Sequence, residues 1–145
     1  MVKIDTEIEV FKEDIILMSQ RVRKMFLTAI EVLHTGNKEK ALSVVELDDY
    51  VNNANEEINE KAIEVLSLLA PVASDLRIVI AGIKIATDLE RIGDYAKAIA
   101  RFVIKNDDLD ANLLNNIDIL GDKFIRFFDE TMDAYARRDV KLALD

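Results

Sequence analysis

The chain has 145 residues, with 28 acidic and 19 basic side chains for a formal charge of −9; 50% are apolar but only 6% aromatic, and there are one proline, four glycines and no cysteine or tryptophan. This composition favours long helices over sheet, and so acidic a surface repels nucleic-acid phosphate and anionic lipid. The absence of cysteine excludes disulfides, thiolate zinc sites, iron–sulfur clusters and cysteine nucleophiles.

Asp5, Glu7, Glu9, Glu13 and Asp14 stand where a secretory leader needs a basic start and an unbroken apolar run. The next residues set out a helical seam: Ile8, Phe11, Ile15, Met18, Val22, Met25, Ala29 and Val32 recur at alternating steps of three and four. Gly36 closes it, because glycine takes the left-handed conformation that ends a helix. A second seam, Ala41, Val44, Val51, Ile58, Ala62, Val65 and Leu69, runs up to Pro71, whose ring disfavours helix in the residue before it. Ser74 then reads as an N-cap with Asp75 against the dipole, opening a third seam through Ile78, Ile85, Leu89, Ile92, Ala96, Ile99 and Val103. The most apolar stretch, Ile78 to Ala86, contains Lys84 and is far shorter than the roughly 20 residues that span a bilayer. After Asn106-Asp107-Asp108 a fourth seam follows through Leu113, Ile117, Leu120, Phe124 and Phe127.

The expectation is a cytoplasmic, all-α protein with helices over 5–34, 38–69, 75–105 and 110–137. The first three form an antiparallel three-helix bundle over 1–106, and 107–145 holds a long fourth helix and the beginning of a fifth at Lys141 to Asp145. Residues 21–43 align with 123–145 at an offset of 102, pairing Phe26 with Phe128, Ala41 with Ala143 and Leu42 with Leu144; this fits a three-helix unit followed by the opening of a second copy.

Chemistry concentrates at polar residues that interrupt these seams. Asp48 and Asn55 occupy seam positions of the second helix, and Asn52 lies one turn beyond Asp48. On the third helix the apolar line Leu76, Val79, Ile83 continues into Glu90 and Asp94, two carboxylates one turn apart. A carboxylate facing a packing surface is costly unless compensated, and a second beside it adds repulsion. A hard or borderline cation would compensate, taking oxygen ligands from Asp48, Asn52, Glu90 and Asp94. The competing reading pairs Glu90 and Asp94 with Arg91, Lys97 or Arg101 at a bundle edge. Glu31 and His34 form one Glu-x-x-His element, but di-iron bundles need two, and His34 is the only histidine. The glycines are too scattered for a phosphate loop, so Gly82 and Gly93 read as close-packing points between helices.

The run from Pro71 to Arg77, then Ala81-Gly82-Ile83-Lys84, then Thr87-Asp88-Leu89-Glu90-Arg91-Ile92-Gly93-Asp94-Tyr95-Ala96, resembles the PhoU family of phosphate-uptake regulators, as does Asp48-Asp49-Tyr50-Val51-Asn52. The resemblance implies an all-helical protein of two similar three-helix bundles, each carrying on two helices an acidic residue followed four positions later by Asp. Glu90 and Asp94 match this signature in full; Asp48 and Asn52 depart from it, an amide replacing the second carboxylate. Some members hold metal clusters on these motifs, which implies a di- or trivalent metal ion, iron or another.

The resemblance further implies a regulator rather than an enzyme: a cytoplasmic protein, peripheral to the membrane through its partners, that links a phosphate ABC transporter to a sensor histidine kinase and keeps phosphate-starvation genes off. The alternatives are a metal-binding helical bundle and an accessory subunit of another phosphate permease. The fourth-helix stripe lacks a fifth and sixth helix to cover it, so a homo-oligomer, in the simplest case a dimer, is expected through Phe124 and Phe127.

Overall fold

The computed structural model describes residues 2–137 as four helices, α1 (Val2–Thr35), α2 (Lys38–Leu68), α3 (Ala73–Lys105) and α4 (Ala111–Arg137), with no strand among the described residues. The helix starts and ends differ from the sequence expectation by no more than about one turn, and the expected opening of a fifth helix at 141–145 lies outside the described residues.

The turns follow local chemistry. Gly36 adopts φ +67° and its N–H donates to the Val32 carbonyl at 2.8 Å, while the Asn37 side chain caps α2 by accepting from the Lys40 N–H at 3.1 Å. At the second turn Ala70, immediately before Pro71, takes φ +42°. The expected cap at Ser74 is corrected: the N-cap of α3 is Val72, which makes no side-chain capping bond, and Ser74 falls inside the first turn. The helix starts earlier because Pro71 already fixes the backbone direction and the Val72 carbonyl accepts from the Leu76 N–H at 2.8 Å.

Helices α1, α2 and α3 pack on one another around a single core. All eight residues of the α1 seam are buried, as are six of the seven in α2; Leu69 is half-buried. In α3 the expected seam is displaced. Ile78, Leu89, Ala96 and Val103 are buried, but Ile85, Ile92 and Ile99 are only half-buried, and the closest packing falls on Val79, Gly82, Ala86, Gly93 and Ala100. A Cβ at Gly82 would overlap the Phe11 ring and stand 2.5 Å from Ile15 Cδ1, so α1 and α3 meet there backbone to side chain.

Helix α4 lies antiparallel along α1. Lys12 Nζ donates to the Ala136 carbonyl at 3.2 Å, Arg23 holds Asp129 through two bonds of 2.8 and 2.9 Å, and His34 Nε2 meets Asp118 Oδ1 at 2.7 Å. Between these rungs the Phe26 and Phe124 rings pack with centroids 4.6 Å apart. The face α4 presents is therefore Ile117, Gly121, Phe124 and Phe128, whereas Leu113, Leu120 and Phe127 remain exposed. The expectation that the whole fourth seam lacks cover within the chain is thus corrected for Ile117 and Phe124, which are half-buried against the core, Phe124 on the Phe26 ring of α1.

Candidate functional site

Antiparallel packing of α2 on α3 sets three positions opposite one another on successive turns: Asn55 against Glu90, Val51 against Gly93, and Asp48 against Lys97. Glycine at 93 lets the two helices approach. A Cβ there would lie 3.4 Å from Val51 Cγ1 and 3.5 Å from Asp48 Oδ1, ordinary contact distances that place the Gly93 backbone directly beside both side chains.

Asp48 is the buried acid the seam interruption predicts, with 1% of its side chain exposed. Its Oδ2 accepts from Lys97 Nζ at 3.2 Å and Asn52 Nδ2 at 3.3 Å, while Oδ1 is buried with no hydrogen-bond partner. One turn along, Asn55 Nδ2 donates to Glu90 Oε2 at 2.7 Å. The Asn52 and Asn55 Oδ1 atoms are likewise buried without a partner. Three unbonded acceptors in one short stretch are unusual, because a buried polar atom left unpaired costs about 1–3 kcal/mol.

Asp94 sits differently from the expectation. A four-residue step turns a side chain about 40° around the helix axis, so Asp94 lies that much further round α3 than Glu90: Asp94 is exposed at the rim, while Glu90 is half-buried. The Asp94 carboxyl nonetheless leans on the cluster: desolvation raises its pKa above the ordinary value, repulsion from Asp48 adds to this, and Lys97 opposes it.

The structure thus brings Asp48, Asn52, Glu90 and Asp94 to one side of the α2–α3 seam. It adds two residues the sequence did not place there. Asn55 stood out only as a polar seam position. Lys97, considered as a partner for Glu90 or Asp94, instead binds Asp48 on the other helix. Of the other expected counter-ions, Arg91 stands 3.9 Å from Asp88, away from the cluster. Glu31 pairs with Lys40 and His34 with Asp118, so the Glu-x-x-His element is dispersed over two helix contacts.

The oxygens of this cluster are donors of the kind a hard cation takes, and three of them are buried without a hydrogen-bond partner. Among the described residues no three His, Cys, Asp or Glu side chains gather into a group able to hold a metal ion. Asn55 lies seven residues, about 10 Å, along α2 from Asp48, so the unbonded oxygens of these two residues do not converge on one position.

Comparison with known proteins decides the family. The PhoU domain model matches residues 15–103, more than half of the chain and including the whole α2–α3 cluster. The chain belongs to the PhoU family. It is 33% identical over 141 residues to the Serratia marcescens protein named phosphate-specific transport system accessory protein PhoU, covering 97% of this chain and 58% of that one. The Escherichia coli K12 protein of the same name is 31% identical over the same shares. The crystal structure of PhoU from Pseudomonas aeruginosa superposes with a TM-score of 0.88 at 31% identity, covering 97% of this chain and 68% of that one. The all-α fold and the PhoU resemblance read from the sequence both hold. The chain spans 58% of the length of the Serratia and Escherichia relatives.

Proposed function

We propose that this chain serves as a PhoU-type accessory protein of a phosphate-specific transport system, working in the cytoplasm by binding and regulation rather than by catalysis. The observation that carries this reading is its similarity, 33% identity over 141 residues, to a protein named for that role. Among the described residues no helix is long and apolar enough to cross a membrane, which supports a peripheral place beside a transporter. The finer reading is that it couples a phosphate ABC transporter to a sensor histidine kinase and holds phosphate-starvation genes off. Residues 107–145 are then the opening of a second three-helix unit after the bundle of 1–106.

Within this reading the α2–α3 cluster is a cation site. Asp48, Asn52, Glu90 and Asp94 would hold a di- or trivalent metal ion, and the ion would supply the positive charge that draws the acids of two helices together. The oxygen donors and the buried unbonded atoms support it. The exposed stripe Leu113, Leu120 and Phe127, spaced by seven along α4, supports a homodimer through that face.

Deletion of the gene tests the functional reading. A reporter under a phosphate-starvation promoter is expected to switch on in phosphate-replete cells and to be silenced again when the chain is supplied in trans. A reporter that stays off after deletion contradicts the proposed role.

A further inference from the structure

Helix α3 stands apart in charge. It carries six basic against four acidic side chains and is the only one of the four helices with a net positive charge, in a chain of formal charge −9. Four of its bases fall on one line: Arg77, Lys84, Arg91 and Lys105 lie at multiples of seven residues, Ala98 fills the remaining place, and all five are exposed. Among the described residues Arg77, Lys84, Arg101 and Lys105 make no ion pair, and Arg91 stands 3.9 Å from Asp88. Ile80, Tyr95 and Phe102 are exposed on the same helix. Near its C-terminal end Lys97, Arg101, Phe102 and Lys105 line an open groove of about 470 Å³, in which Asp94 is the one acid.

We propose that this face of α3 docks an acidic helix of a partner protein, with carboxylates at seven-residue spacing set against Arg77, Lys84, Arg91 and Lys105 and an apolar side chain seated beside Phe102. The proposal rests on the accessory-protein reading and adds to it a surface and the chemistry of what binds there. Seven residues are two helical turns, about 10 Å, and a strict seven-residue line drifts by about 20° per repeat, which a second helix follows by coiling left-handed. Charge fixes the sign of the partner. The basic strip is one helix wide, and α2 beside it carries eight acids against three bases. A nucleic-acid duplex or an anionic membrane broad enough to cover both helices meets repulsion from α2, whereas a narrow acidic helix meets the bases alone. The joint between α1 and α4 shows the same combination already filled: Arg23 grips Asp129 through bonds of 2.8 and 2.9 Å beside the stacked Phe26 and Phe124 rings.

Photo-cross-linking of the full chain in phosphate-replete cells tests it. Benzoylphenylalanine is placed at Ala98, in the middle of the basic line, or at Asn53, exposed on α2, as the control. Ala98 adducts are expected on a protein other than this chain, mapped by mass spectrometry to a segment with Asp or Glu at seven-residue spacing, and Asn53 is expected not to reach that segment. Adding Arg91→Glu and Lys105→Glu is expected to cut the Ala98 adducts at least tenfold. Arg91→Gln with Lys105→Gln is expected to cut them severalfold, and keeps the test readable if circular dichroism shows the reversed form to be poorly folded. With the captured segment made as a peptide, exchanging its acids for Lys is expected to restore binding to the Arg91→Glu/Lys105→Glu form. Adducts to a second copy of this chain, to lipid or to a segment without net negative charge would overturn the proposal. So would the absence of Ala98 adducts, or adducts unchanged by charge reversal. The starvation reporter keeps the two readings apart: a deletion that leaves it off contradicts the accessory role, whereas a reporter that responds while the Ala98 adducts fail these criteria removes the docking face alone.

Discussion

Asp48 and Lys97 form an unequal pair, one end sealed and the other 24% exposed, and this makes their removal unequal. Lys97→Met strands a buried carboxylate and is expected to cost about 2–3 kcal/mol, somewhat below the 3–5 kcal/mol typical of a fully buried pair because water reaches Lys97. Asp48→Asn removes the charge that needed compensation and lets Lys97 extend into the groove, so it is expected to cost under about 1 kcal/mol. Urea denaturation of both variants with a chelator present measures the difference; equal costs would mean that Asp48 is not held as a buried charge. Asp48 was legible in the sequence because a seam of apolar residues makes a single acid conspicuous. Lys97 and Asn55 were not, since their partners lie 49 and 35 residues away and depend on how α2 slides along α3.

Among the elements, the seam of α1 is fully legible, all eight of its residues being buried, because one face of regularly spaced large side chains packs into the core. Helix α3 was read with its weight misplaced. Hydropathy credits Ile85, Ile92 and Ile99, but a helix packed against two others brings its smallest residues to the closest approach, and glycine carries no apolar signal. In α4 the buried line is shifted by one position, to Phe128 rather than Phe127, because the Arg23–Asp129 and His34–Asp118 contacts fix the rotation of the helix on α1. Two glycine substitutions separate close packing from mere tolerance. Gly82→Ala is expected to destabilise by about 1–3 kcal/mol through overlap with Phe11 and Ile15. At Gly121 a Cβ would meet Ile30 Cγ1 at 3.9 Å and Phe26 Cζ at 4.0 Å, ordinary contacts, so Gly121→Ala is expected to stabilise by up to about 1 kcal/mol through helix propensity. Thermal melts of the two variants check the opposite signs, and a shared sign would contradict the packing described.

At the scale of the molecule, α4 is attached to the bundle by a mixture of ring contacts and polar rungs, which makes the attachment sensitive to acid. Bonds from Arg23 hold the Asp129 carboxyl below its ordinary pKa. A lowered folded-state value means that the stabilisation is present above the ordinary carboxylate range and is lost as pH falls through the lowered value. Asp129→Asn is therefore expected to be less stable than the parent near pH 7, by no more than about 1 kcal/mol for a pair this exposed, and the gap is expected to close in strong acid. A gap that persists unchanged below pH 2 would contradict the role of the ion pair. The exposed stripe of the same helix bears on assembly: light scattering across a dilution series is expected to show a dimer that Leu120→Glu with Phe127→Glu dissociates, and a parent that is monomeric at micromolar concentration would reject that interface.

The link between the α2–α3 cluster and phosphate regulation is tested most directly by repeating the starvation-reporter measurement with the site disabled. In phosphate-replete cells lacking the native gene, Asp48→Asn combined with Glu90→Gln, shown by circular dichroism to retain its helices, is expected to leave the reporter on where the parent chain turns it off. A folded double variant that silences the reporter as fully as the parent would contradict the assignment of function to this site.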